Sequence, residues 1–131
     1  MAGHGQDRHL KRLAKSRAIP IPAKGHKWLI KPSPGPHGRD HCIPLMVLMR
    51  DVFKLGQDAR EAKKIIHEGK VLVDGKSRKE NSYPVGLMDI VSIPKIRKFY
   101  QVFQIGEKLL PVEVSEADAK SKSCRIVNKT V

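Results

Sequence analysis

Arg60, Lys63, Lys64 and His67 fall at i, i+3, i+4 and i+7. At about 100° per residue that spacing lines them along one face of a helix, with Ala62, Ile65 and Ile66 roughly opposite. A row of bases with no acid inside it suits a line of phosphates. Arg50 and Lys54 make an i, i+4 pair on a preceding segment, away from its apolar stripe. The competing reading of both helices is an ordinary solvated face on which Glu61 and Glu68 pair some of the bases. The first N–H groups of the second helix add an anion site, partly contested by Asp58 and Glu61.

A second supply of cations lies upstream. Residues 1–41 hold nine Lys/Arg and two acids, a net of +7, with five of the six histidines. Arg8, Lys11, Arg12, Lys15, Arg17, Lys24, Lys27, Lys31 and Arg39 are placed to neutralise phosphates, with His37 beside them. Trp28 is a lone aromatic among lysines. It would either stack on an unpaired base or plug this segment onto the rest of the protein.

Other chemistries lack their residues. His37, His41 and Cys42 lie close in sequence, but no second cysteine or paired-histidine spacing completes a four-ligand zinc set, so no metal site is expected. There is no G-x-x-x-x-G-K-[ST] loop for a nucleotide triphosphate and no G-x-S-x-G elbow. Gly35-Pro36-His37-Gly38 lacks the strand and helix that a dinucleotide site needs. Glu61 and Glu68 are a carboxylate pair without a visible cleft. The expectation is a protein that is not an enzyme, with no catalytic residue, no cofactor and no small-molecule substrate.

The elements that must carry these residues follow from periodicity. Leu45, Leu48, Met49, Val52 and Leu55 make one helical stripe, with Pro44 at the first helical position and Gly56 as a left-handed cap. Asp58 and Glu61 resemble a capping box for a second helix, which Gly69 closes. The period then changes to two. Val71–Val73 is a strand, Asp74-Gly75 a type I′ hairpin turn, and Ser77–Lys79 the return. Asp89–Ile93, stopped by Pro94, and Phe99–Ile105 are further strands. Residues 1–41 read as a basic Pro/Gly/His-rich arm, with a short basic helix over 7–14 and otherwise irregular, too poor in apolar residues to order when free. Residues 42–105 read as an α+β domain, two helices with a short sheet. Residues 106–131 open a further β-rich unit, incomplete here, with a helix cap at Ser115 and Asp118 and a strand at Cys124–Val127.

Across 131 residues the net charge is +13, and residues 106–131 carry only +1 of it. No apolar run approaches the roughly 18 residues that cross a bilayer, and no secretory leader is visible. Two isolated cysteines read as reduced thiols of a cytosolic protein. Nucleic acid is the polyanion that such a protein meets.

The run Asp58–Lys76 resembles the RNA-binding fold named after small-subunit ribosomal protein four. The flanks His9–Leu13, Pro32–His37, Cys42–Leu45 and Tyr83–Pro94 resemble the eukaryotic/archaeal, or e-type, branch of that family over nearly the whole chain. The resemblance implies a structural constituent of the small ribosomal subunit in the cytoplasm. Its implied partners are small-subunit ribosomal RNA and neighbouring ribosomal proteins, with no membrane. It also implies more β-rich sequence than the 26 residues after Ile105 supply. Two other readings use the same two-helix fold: a ribosome-associated stress or quality-control protein, and the RNA-binding module of an RNA-modifying enzyme.

Overall fold

Two leucines bring the basic N-terminal segment onto the protein. A computed structural model describes residues 9–131. In it strand β1 (Leu10–Lys11) pairs antiparallel with β2 (Trp28–Leu29), Leu10 opposite Leu29 and Lys11 opposite Trp28. Because strand side chains alternate, both leucines turn inward and are buried, while Lys11 and Trp28 turn out. The helix expected over 7–14 is not formed in its described part, where the strand and a single 3₁₀ turn (Arg12–Ala14) stand instead. Nor is this segment a loose arm. Ala18, Ile19 and Ile21 join the core, the two isoleucines each preceding a proline that favours extended backbone. The segment has few apolar residues, but most of those few are buried.

After a 3₁₀ turn (Arg39–His41), β3 (Cys42–Pro44) pairs antiparallel with β6 (Pro84–Gly86). Pro44 closes β3 and precedes the helix rather than opening it. Helix α1 (Leu45–Val47) widens directly into a π turn (Leu48–Val52). Leu45, Leu48 and Met49 are fully buried, as the stripe required, and Val47 with them. The stop differs from the expected one. Lys54 takes the left-handed conformation (φ 54°), and Leu55 N–H donates to the Met49 carbonyl at 3.0 Å. Gly56 serves close packing instead, since a Cβ there would lie 2.9 Å from the Ala62 nitrogen. Helix α2 (Ala59–His67) follows and packs on α1. It ends as expected at Gly69, with φ +72° and its N–H on the Ile66 carbonyl.

The remaining strands form one antiparallel sheet in the order β5–β4–β7–β8–β9: β4 (Leu72–Val73), β5 (Lys76–Ser77), β7 (Ile90–Ile93), β8 (Lys98–Ile105) and β9 (Lys108–Glu113). Asp74 and Gly75 both have positive φ, as a type I′ turn requires. Val71, Val73, Val91 and Val102 are fully buried beneath the helices and the N-terminal segment. β9 pairs along β8, and its Leu109 N–H donates to the Ala18 carbonyl at 2.9 Å. Ser115 Oγ accepts the Asp118 N–H, but the helix it caps is a single 3₁₀ turn (Asp118–Lys120). The strand expected at Cys124–Val127 is absent. Residues 121–131 have no regular structure and find no sheet partner among the described residues, so Ile126 and Val127 stay exposed.

Candidate nucleic-acid interface

Helix α2 sorts its residues by side. Ala62 and Ile66 have no exposed surface, whereas Arg60, Lys63, Lys64 and His67 are all exposed. Of the two acids that might have neutralised this stripe, Glu61 is engaged elsewhere, while Glu68 still feels the charge of Lys64. Glu61 Oε2 accepts the Gln57 N–H at 3.0 Å, just ahead of the helix, and Glu68 pairs with Lys70. That hydrogen bond with Lys70 holds the Glu68 carboxyl below its ordinary range. The side chains of Arg60, Lys63 and His67 make no hydrogen bond or ion pair with any described residue. The capping box expected of Asp58 and Glu61 is not formed, since Asp58 at the N-cap makes no side-chain hydrogen bond to the helix and Glu61 reaches Gln57 instead.

Three basic residues that periodicity did not single out extend this end of the surface. Arg78 N–H donates to the Val71 carbonyl, which brings Lys79 back beside the end of α2. Its Cε lies 3.3 Å from where a Cβ on Gly69 would sit. Lys70 is paired with Glu68, and the charge of Lys95, in the 3₁₀ turn Pro94–Ile96, acts on the same carboxylate. Counting pairs back from the Asp74-Gly75 turn would have placed Lys79 opposite Lys70.

The N-terminal basic residues divide. Arg8 lies outside the described residues. Lys11, Lys24, Lys27 and Arg39 are exposed, and Lys31 is half-buried. Trp28 is 52% exposed, so it is not a plug. The Lys27 ammonium stands 5.1 Å over its ring, and the His9 ring is 5.8 Å away. Arg17 is exposed, 3.1 Å from Glu107, a surface pair that contributes little.

Other candidates have structural work. Arg12 is buried, and its Nε–H donates to the Pro22 carbonyl at 2.8 Å. Lys15 donates to the Ile19 carbonyl at 3.1 Å, and burial, then repulsion from Lys108 and Arg12, lowers its pKa. Arg50 pairs with Asp51 at 2.9 Å. Lys54, by contrast, is exposed at the left-handed stop of the first helix.

His37 is not set toward phosphate either. Its Nε2 shares a 2.8 Å hydrogen bond with Asp89, whose side chain is only 2% exposed. Asp89 also accepts the Gly86 N–H at 3.0 Å and the Lys122 ammonium at 2.7 Å. Burial alone would lower the Lys122 pKa, but hydrogen bonds to Asp89 and Asp74 push it up to about 12. This cluster ties the N-terminal segment, the sheet and the C-terminal segment together.

Among the described residues no group of three or more His, Cys, Asp and Glu is arranged to hold a metal ion, and no helix is long and apolar enough to cross a membrane.

Comparison with known proteins places these features in context. Residues 52–91 match the S4 domain, and residues 4–40 match the RS4NT (NUC023) domain. The chain is 46% identical over 131 residues to small ribosomal subunit protein eS4 of Methanothermobacter thermautotrophicus, covering 99% of this chain and 54% of that one. It is 49% identical over 126 residues to eS4 of Methanocella arvoryzae, covering 93% and 52%. The crystal structure of 30S ribosomal protein S4e from Thermoplasma acidophilum aligns with a TM-score of 0.54 at 32% identity, covering 63% of this chain and 43% of that one. The chain thus spans about half the length of the curated relatives it matches.

Proposed function

The chain belongs to the e-type small-subunit ribosomal protein four family, and from that premise we propose that it binds small-subunit ribosomal RNA as a structural, non-enzymatic constituent of the small subunit. The observation that carries this reading is the exposed stripe Arg60, Lys63, Lys64 and His67, none of which forms an ion pair with a described residue, seated on a helix whose other side is locked into the core. The backbone that carries these cations is already ordered, so only their side chains lose freedom on meeting phosphates. Recognition is then by backbone charge and by shape, because the deep, narrow major groove of A-form RNA hides its base edges from side chains. Lys70, Lys79 and Lys95 widen the same electrostatic surface. Neighbouring ribosomal proteins are the expected second class of partner, and the cytoplasm the expected location.

Sedimentation of cell extract containing the tagged chain tests the assignment. Stable cofractionation with the small subunit is expected. Preferential association with free large subunits would instead identify a ribosome-associated stress or quality-control factor.

A further inference from the structure

The two-stranded ribbon β1–β2 turns one face to the core and the other to solvent, and the solvent face has the parts of a nucleotide seat. Trp28 is 52% exposed, although a side chain of its size usually buries most of its surface. Lys11 stands directly across the ladder from it. The Lys27 ammonium lies over the indole, 5.1 Å from the ring centroid, and the His9 ring lies 5.8 Å away, tilted by 57°.

Two hollows flank this platform. One, of about 230 Å³, is walled by His9, Trp28, Ile30 and Lys31. The other, of about 380 Å³, is walled by Lys11, Leu13, Lys24, His26 and Lys27. Neither has an acidic wall among the described residues. Behind them the ribbon is held by buried Leu10 and Leu29 and by the Arg12 N–H on the Lys27 carbonyl at 3.0 Å. The platform is therefore fixed in place rather than carried on a free tail.

We infer that this face seats an unpaired RNA nucleotide, with its base stacked on Trp28 and its phosphates on Lys11, Lys24 and Lys27. The inference rests on the RNA-binding reading above but assigns a separate place and a different mode of contact. An aromatic face accepts any unstacked base and cannot reach one held inside an A-form stack. The lysine now over the indole moves to the neighbouring phosphate as the base arrives, exchanging a cation–π contact for a charge-assisted hydrogen bond. The α2 stripe reads duplex backbone, whereas this ribbon reads a strand that has left the duplex.

Trp28 is the only tryptophan in the chain, so its fluorescence reports on this face alone. The intact chain is titrated with an unstructured oligouridylate and with an A-form RNA duplex of equal phosphate number. The single strand is expected to quench Trp28 strongly and the duplex weakly. Trp28→Ala should weaken single-strand binding about tenfold while leaving duplex binding unchanged, the ratio a stacked base is worth. Trp28→Phe, followed by direct binding, should recover most of the loss and shows that the ribbon still folds. Binding of both RNAs with Trp28 equally silent, or equal affinity after Trp28→Ala, would overturn this inference alone. Binding of neither would overturn the RNA reading with it.

Discussion

Arg12 and Arg60 carry the same charge and do opposite work. Arg12 is folded under the N-terminal segment on the Pro22 carbonyl, while the Arg60 side chain stands in solvent without a partner among the described residues. Arg12→Ala should therefore lower stability by about 1–3 kcal/mol through the lost hydrogen bond and packing. Arg60→Ala should change stability by less than about 0.5 kcal/mol and act on RNA affinity instead; thermal melts and binding curves of the two variants separate the roles. The thiols divide similarly. Cys42 is buried, and burial pushes its pKa from 9.0 up to about 11, while Cys124 is exposed. Between pH 9 and 11 the unfolded chain ionises at Cys42 and the folded chain does not, so stability falls as pH rises through that window. Cys42→Ala should flatten that fall in melts taken from pH 8 to 11. Lys122 adds a contribution that is complete below pH 10.5 and lost only as pH rises through about 12. At this scale the sequence shows residue types but not their surroundings. Asp89 lies 52 residues from His37, and no periodicity links them.

Helix α2 is the element on which recognition and packing meet. Ile66 is fully buried on its inner side, so Ile66→Ala should cost about 2–5 kcal/mol, read from denaturant midpoints. At temperatures where the variant stays folded, RNA affinity should be retained, because the stripe is untouched. Both sides of α2, its Gly69 stop and the Asp74-Gly75 turn were legible because each is encoded locally, by a 3.6-residue period or a positive-φ requirement. Three features were not. The ladders β1–β2 and β3–β6 join short segments distant in sequence, too brief to show alternation. The first helix ends at Lys54, a residue whose type does not favour positive φ, so Gly56 was credited with a turn when its task is to admit Ala62. Cys124–Val127 has β-forming residues, but a strand needs a neighbour to pair with. No described strand pairs with it.

Over the whole molecule, which carries an excess of 13 positive charges, some of the basic residues form two surfaces of different build. One is a rigid helix face lengthened by lysines from adjacent turns. The other is a ribbon with an exposed indole. Between them Arg12, Lys15, His37 and Arg50 are spent on holding the fold, so the interface is smaller than a tally of basic residues suggests and more rigid than a basic tail would be. Overall charge and fold class were legible from composition and pattern; which cations were available was not, because availability is set by burial and pairing. The salt dependence of binding between the intact chain and a small-subunit ribosomal RNA fragment tests the α2 surface most directly. With about six phosphates engaged, log K should fall against log salt with a slope of about −4 to −5. Replacing Arg60, Lys63 and Lys64 together with alanine should weaken binding and make that slope shallower by about 2–3, with the melting temperature nearly unchanged. A wild-type affinity indifferent to salt, or a triple variant with an unaltered slope, would contradict it.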